Sequence, residues 1–232
     1  MQETSGLRVE RSSIPSGTNL LEAIFVASAE APARAALLIC HGIGETVEHW
    51  FPVQQLLAAN GVASLVFDYS GFGRSNGSPN WDQYELDALS AFQRLKLLTH
   101  PLPTSILGFS LGSGPAAAIV NTAAPDLLVL CAAFTSFRAG AHARWIPAIL
   151  STLVPPIWSA EDSLRNCQVP VLVVHGEADG LFPVQFARDL ASCCPVPAEL
   201  ILAPHVTHNQ PFRKPELSYW GPIIDRLIAS AN

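Results

Sequence analysis

Charge is scarce in this chain, and the little it carries is scattered. Asp, Glu, Lys and Arg together make up 14% of 232 residues, only 13 of them are basic, and the net charge is −6. Binding a phosphate backbone needs clustered Lys and Arg, which no segment supplies, so nucleic acid is excluded as a partner. Long apolar runs are also missing. No window reaches the roughly 18–20 uninterrupted apolar residues of a membrane-spanning helix, and Met1-Gln2-Glu3-Thr4 offers no basic stretch leading into an apolar one. The expectation is a soluble, cytoplasmic protein without a transmembrane segment. Cysteines are few and odd in number, five at Cys40, Cys131, Cys167, Cys193 and Cys194, with no C-x-x-C pairs. They read as reduced core thiols, the adjacent Cys193-Cys194 closing a helix. Metal signatures are absent too: His205 and His208 stand three apart, but no H-E-x-x-H helix and no third Cys or carboxylate accompanies them. Asp68-Tyr69-Ser70-Gly71-Phe72-Gly73-Arg74-Ser75 has neither G-x-G-x-x-G spacing nor a P-loop lysine, so it reads as a tight turn after a strand. Neither metal nor cofactor is expected.

What the chain has instead is apolar sequence, 49% of the total, arranged in short β-branched runs that alternate with longer amphipathic stretches. That alternation predicts a mostly parallel sheet covered by helices on both faces, within one α/β domain spanning 1–232. Eight strands are predicted: Leu7 to Ile14, Leu21 to Ala27, Ala36 to Cys40, Ala63 to Phe67, Ser105 to Phe109, Leu127 to Ala132, Val171 to His175 and Glu199 to Leu202. Helices are predicted at Val47 to Asn60 with Gly61 as its stop, Trp81 to Leu98, Ser110 to Ala123, Pro183 to Cys193 and Leu217 to Ala231. The interval between Ala132 and Val171 is longer than a simple crossover needs. It implies an inserted lid at about 137–160, apolar and punctuated by prolines.

Gly108-Phe109-Ser110-Leu111-Gly112 puts a serine between two glycines directly after an apolar strand, the G-x-S-x-G pattern of a nucleophile elbow. A serine hydroxyl is a poor nucleophile at neutral pH, so it needs a base in hydrogen-bond reach and a third group to orient that base. Asp179 follows the strand Val171 to His175, at the sheet edge where Ser110 also sits. Asp126 precedes a strand, at the wrong edge, and Asp162 opens a helix as an N-cap-like residue. After the last strand, Ala203-Pro204-His205-Val206-Thr207-His208-Asn209 offers two histidines, one of which should be the base. A developing oxyanion needs backbone N–H donors, one after the nucleophile and one in the loop after the third strand; Leu111 and Ile43 occupy those places.

The order Ser, Asp, His, with His41-Gly42, the elbow, His175-Gly176-x-x-Asp179 and the terminal histidine loop, resembles the α/β-hydrolase fold superfamily over nearly the whole chain. Phe134-Thr135-Ser136-Phe137-Arg138, the short insert and Asp162-Ser163-Leu164-Arg165-Asn166 resemble its small-lidded branch of Bem46-like and ABHD13/ABHD17-type proteins. That resemblance implies a catalytic histidine in a Gly-x-x-His-Asn segment, which aligns with Thr207-His208-Asn209 and favours His208 over His205; His205 stands where the pattern often has glycine. The implied activity is a serine hydrolase that cleaves carboxylic esters or acyl thioesters through Ser110, His208 and Asp179. The insert's Trp145, Ile149, Leu150, Leu153 and Trp158 would meet an apolar acyl or alkyl group of a small-molecule substrate, and the same apolar face offers a homodimer contact. The other readings are a carbon–carbon bond hydrolase, an aminopeptidase or a perhydrolase with the same three residues, and a non-catalytic binding protein on a hydrolase fold.

Overall fold

Runs such as Ala35–Cys40 and Val62–Phe67 are apolar at nearly every position rather than at alternate ones, because both faces of a central parallel strand must be covered. The computed structural model describes residues 6–144, 153–196 and 198–230. In it the strands are β1 (Leu7–Ser16), β2 (Asn19–Ser28), β3 (Ala35–Cys40), β4 (Val62–Phe67), β5 (Thr104–Phe109), β6 (Leu128–Cys131), β7 (Val171–Gly176) and β8 (Glu199–Ala203). They form one sheet in the order β1-β2-β4-β3-β5-β6-β7-β8. β1 and β2 pair antiparallel, β2 joins β4 antiparallel, and every later pairing is parallel. The eight predicted strands are therefore the eight observed, within a residue or two at most ends.

The helices are α1 (Phe51–Ala59), α2 (Trp81–Thr99), α3 (Ser113–Ala123), α4 (Phe137–Arg144), α5 (Ala160–Arg165), α6 (Val184–Cys193), α7 (Gln210–Arg213) and α8 (Leu217–Ala229). Two predicted helices begin differently: Val47–Trp50 and Ser110–Gly112 are 3-10 turns that lead into α1 and α3. Asp162 is not a cap. Ser159 caps α5 by accepting the Asp162 N–H at 3.1 Å, and Asp162 is exposed in the first turn.

Side chains on successive strand positions point to opposite faces, so the sheet divides the core in two. Leu38, Leu65, Ile106 and Leu130 meet α2, α3, α5 and α6 on one face. Leu37, Ile39, Val66 and Val129 meet α1 and α8 on the other. In α8, Trp220, Ile223, Ile224 and Leu227 recur at helical spacing and are almost fully buried, each burial stabilising the fold by about 1.5–3 kcal/mol. Burial pushes the Cys40 and Cys131 thiols up to about 12, so both are protonated packing groups.

After β3 the chain passes to β4 on one side, then crosses to β5 on the other. Such a reversal opens a crevice beyond the carboxyl ends of the strands. Cys40 is in register with Gly108, Phe109 with Cys131, Cys131 with Val174, and Gly176 with Ala203. The loops after β3, β5, β6, β7 and β8 therefore emerge at one edge.

Candidate active site

Ser110 is the first residue after β5 and holds φ +51°, a left-handed conformation that costs a non-glycine residue roughly 1–3 kcal/mol. The turn has no room for larger neighbours. A Cβ on Gly112 would lie 2.0 Å from the Cys40 carbonyl oxygen, and one on Gly108 would lie 2.7 Å from the Gly112 oxygen. The Ser113 hydroxyl donates to the Ser110 carbonyl at 2.6 Å and pins the turn from inside.

Opposite Ser110, the loops after β7 and β8 are stitched to each other: Glu177 N–H donates to Ala203 and Ala178 N–H to Val206. Asp179 turns back on this platform. One of its carboxylate oxygens accepts the N–H groups of Leu181 and Phe182 at 2.7 and 3.0 Å, and the other lies 2.7 Å from His208 Nδ1. The far side of that ring, Nε2, is 3.0 Å from Ser110 Oγ. Residues 98 and 29 positions apart from His208 thus become a continuous hydrogen-bonded line. Phe109 and Phe182 flank the imidazole, each with its centroid 5.4 Å away. Burial alone would raise the Asp179 carboxyl, but the hydrogen bond and charge of His208 and the two N–H groups outweigh it and hold the carboxyl below its ordinary range. Asp179 is therefore a carboxylate at neutral pH, and His208 Nδ1–H is the donor between them.

His205 stands elsewhere. It is exposed, with φ +62°, so this position takes the backbone that favours glycine, and its side chain is not in the line from Ser110 to Asp179. His175 is fully buried, and its Nε2–H donates to the Phe182 carbonyl at 3.2 Å. Burial lowers its pKa, so it is a neutral strut under the Asp179 turn. His41 is likewise internal: its Nδ1–H donates to the Gly42 carbonyl at 2.8 Å. Asp126 accepts the Thr104 N–H at 2.7 Å, at the opposite edge of the sheet.

Ile43 and Leu111, expected to supply oxyanion N–H groups, border the same cleft as Ser110. Leu111 lies in the 3-10 turn leading into α3, where the first N–H groups of a helix lack intrahelical partners. A residue that braces the loop behind this side escaped the sequence reading. Glu45 is buried and accepts both the Gly42 N–H at 2.9 Å and the Trp50 indole N–H at 2.8 Å, which fixes the loop carrying Ile43. Burial raises its pKa, with those two hydrogen bonds and the charges of His41 and His208 acting the other way. The available signal was an acid directly beside a glycine-containing loop; its burial had no local signature.

The cleft beside Ser110 encloses about 190 Å³ between the Ile43–Leu111 side and a wall of Phe134, Phe137, Gly140, Ala141, Leu181 and Phe182. The insert's residues are distributed differently from expectation. Trp145, Ile149 and Leu150 lie outside the described residues. Leu153 is 78% exposed, and neither it nor Trp158 borders this cleft. Trp158 is buried, with its indole N–H donating to Glu85 at 2.9 Å and its ring beside Trp81 and Phe137. A buried indole needs a partner for its one polar hydrogen, and α2 supplies it; Trp158 anchors the insert's return. The Phe137 N–H donates to the Trp158 carbonyl at 2.7 Å, closing the insert at its neck. The residues that do line the cleft come from just before the insert, from α4 and from the Asp179 turn. Among the described residues no group of three or more His, Cys, Asp or Glu is placed to hold a metal ion, and no helix is long and apolar enough to cross a membrane.

A family model described as serine aminopeptidase, S33, matches residues 31–161. That span includes Ile43, Glu45 and Ser110 and stops short of Asp179 and His208. The lysophosphatidylserine lipase ABHD12 of Macaca fascicularis is 30% identical over 182 residues, which cover 70% of this chain and 46% of the lipase. An uncharacterized protein of Mycobacterium tuberculosis is 29% identical over 180 residues, covering 76% of this chain and 63% of the relative. The chain spans about half the length of the lipases it matches. Among solved structures, a Pyrococcus furiosus esterase superposes with a TM-score of 0.77 at 17% identity, over 100% of this chain and 95% of that one. The ferulic-acid-bound Est1E of Butyrivibrio proteoclasticus gives 0.76 at 18% identity, over 95% and 98%. At such identities the superpositions speak for the fold alone. The chain belongs to the serine aminopeptidase S33 family, within the α/β-hydrolase superfamily.

Proposed function

We propose that this protein is a serine hydrolase that cleaves carboxylic esters or acyl thioesters through an acyl-enzyme. The observation that carries the reading is the line of two hydrogen bonds, Ser110 Oγ to His208 Nε2 at 3.0 Å and His208 Nδ1 to Asp179 at 2.7 Å. Ser110 Oγ attacks the acyl carbonyl while His208 Nε2 takes its proton. Asp179 remains ionised and stabilises the imidazolium, which then protonates the leaving alcohol or thiol. The N–H groups of Ile43 and Leu111 receive the oxyanion. Water, deprotonated by His208, then releases the acid and restores Ser110.

The name of one similar protein, a lysophosphatidylserine lipase, is consistent with ester cleavage. An aminopeptidase recognising a free α-ammonium needs a carboxylate facing its cleft, and the described residues that border this one include none. Apolar walls suit an uncharged acyl or alkyl group instead, since burying an unpaired charge there is costly.

A fluorophosphonate probe tests the assignment. Labelling should occur in the wild type, vanish in Ser110→Ala and persist in Ser136→Ala. A folded wild type that takes no label would instead be a binding protein on a hydrolase fold.

A further inference from the structure

Helix α4 contains a glycine in its interior, at position 140, although glycine is among the poorest helix formers. A local rule broken inside an element calls for a compensating gain elsewhere. Phe137, Gly140 and Ala141 are spaced i, i+3, i+4, which puts them on one helix face. All three border the cleft that holds Ser110. The face thus starts with an aromatic ring and continues with the two smallest side chains available. The cleft is the space they leave.

The aromatic residue packed behind this face will not retreat to admit more. Phe134 is 2% exposed, and its ring sits edge-on to Phe137 and Phe182 at 6.2 and 6.0 Å. A Cβ at position 140 would already stand 3.2 Å from the Phe134 Cβ. A branched side chain there must press on Phe134 or extend into the cleft that position 140 borders.

Direction follows from proton transfer. The leaving atom must face His208 Nε2 to take its proton, so the leaving group lies on the His208 side. The cleft is bordered by Ser110, Ile43 and Leu111 but not by His208. It therefore receives the acyl half. An apolar cavity of about 150 Å³ binds benzene, so the 190 Å³ here accommodates a group on the order of six carbons or slightly more.

We propose that the substrate's acyl group is an uncharged chain of about four to eight carbons, and that Gly140 and Ala141 set this limit. The proposal rests on the serine-hydrolase reading above. It makes both residues specificity determinants, acting through the volume they leave empty.

The test is a series of p-nitrophenyl esters from acetate to laurate, run on the wild type, Gly140→Val and Ala141→Leu. In the wild type, kcat/KM should peak between butyrate and octanoate and fall by laurate. In each variant the hexanoate-to-acetate ratio should drop roughly tenfold or more, the usual discrimination for lost pocket space. A second series, butyrate esters of alcohols from methanol to octanol, should show the same relative profile in all three proteins. Chain-length profiles that run parallel in the variants and the wild type, a wild-type optimum at laurate, or a change confined to the alcohol series would each overturn the proposal. Ala141 is only partly buried, so Ala141→Leu keeps the test open should Gly140→Val fail to fold. Hydrolysis with an unaltered acyl profile overturns this proposal alone, whereas a folded wild type with neither hydrolysis nor fluorophosphonate labelling overturns the reading beneath it.

Discussion

The turn that carries Ser110 and the turn that carries His208 meet at one hydrogen bond, yet they are held by different means. Around Ser110 the restraint is local: two glycines within two residues on either side, a 3-10 turn, and a hydroxyl three residues on that bonds back to the serine carbonyl. Around His208 a few local hydrogen bonds are joined by restraints from remote segments. Ala178 reaches across to Val206, the Trp220 indole N–H donates to the Pro211 carbonyl at 2.8 Å, and Trp50 stacks on Phe212 at 5.5 Å. The serine is thus positioned largely by its own pentapeptide, while the histidine it meets depends more on the assembled core.

The largest effect that could break this contrast is chemical. His208→Ala should lower kcat by roughly 10⁴–10⁶-fold with an unchanged far-ultraviolet circular dichroism spectrum, while His205→Ala should stay close to wild type in turnover. The reverse result would move the base three residues along the loop. Next in size, Asp179→Asn should cut kcat by about 10⁴-fold, because the amide cannot hold the imidazole in the required tautomer. A rate within tenfold of wild type would remove Asp179 from the line.

Stability separates the two turns at smaller scale. Gly112→Ala drives a methyl group into the Cys40 carbonyl and should destabilise by more than about 4 kcal/mol or prevent folding. Trp220→Phe keeps an aromatic ring but removes the pyrrole half of the indole, which leaves a small cavity and the buried Pro211 carbonyl without its donor, at a cost of at least about 1–3 kcal/mol. It should also lower kcat by disturbing the loop that holds His208, and urea unfolding paired with steady-state kinetics measures both. Loss of stability with turnover intact would show that the His208 turn is held more locally than the structure indicates.

The smallest effect is in pH dependence. Burial depresses the folded pKa of His175 below its ordinary 6.5, so its neutral form contributes stability that is fully present above pH 6.5 and is lost as pH falls toward the folded value. Asp179 acts in the same sense from its own ordinary value of 3.8 downwards. Unfolding free energy should therefore decline between pH 7 and 5 in the wild type, and less steeply in His175→Gln, which retains a donor for the Phe182 carbonyl. Equal slopes in the two proteins would assign that decline to other groups.

The eight strands were legible because a buried parallel strand writes itself as an apolar run between turn residues, and such runs need no knowledge of their neighbours. The short helices α4 and α7 were not, and α5 was read only as a start at Asp162, three residues past its cap at Ser159. Four to eight residues are too few to establish a 3.6-residue period, and such helices form only because tertiary contacts hold them. Trp158 illustrates the same limit. An apolar insert rich in tryptophan reads as a substrate-facing surface, but whether an indole faces a ligand or the core depends on the presence of Glu85 and Trp81 across the fold. Glu45 was missed for a matching reason, since the apolar shell and the two donors that make it a strut assemble only on folding.

By itself the sequence determined the strand count, the strained turn at Ser110 and the order in which serine, acid and histidine arrive, since all of these follow from residue type and spacing. Only the tertiary structure decided which histidine faces the serine and which small residues open the cleft. Those depend on distances between segments far apart in the chain, and packing sets such distances.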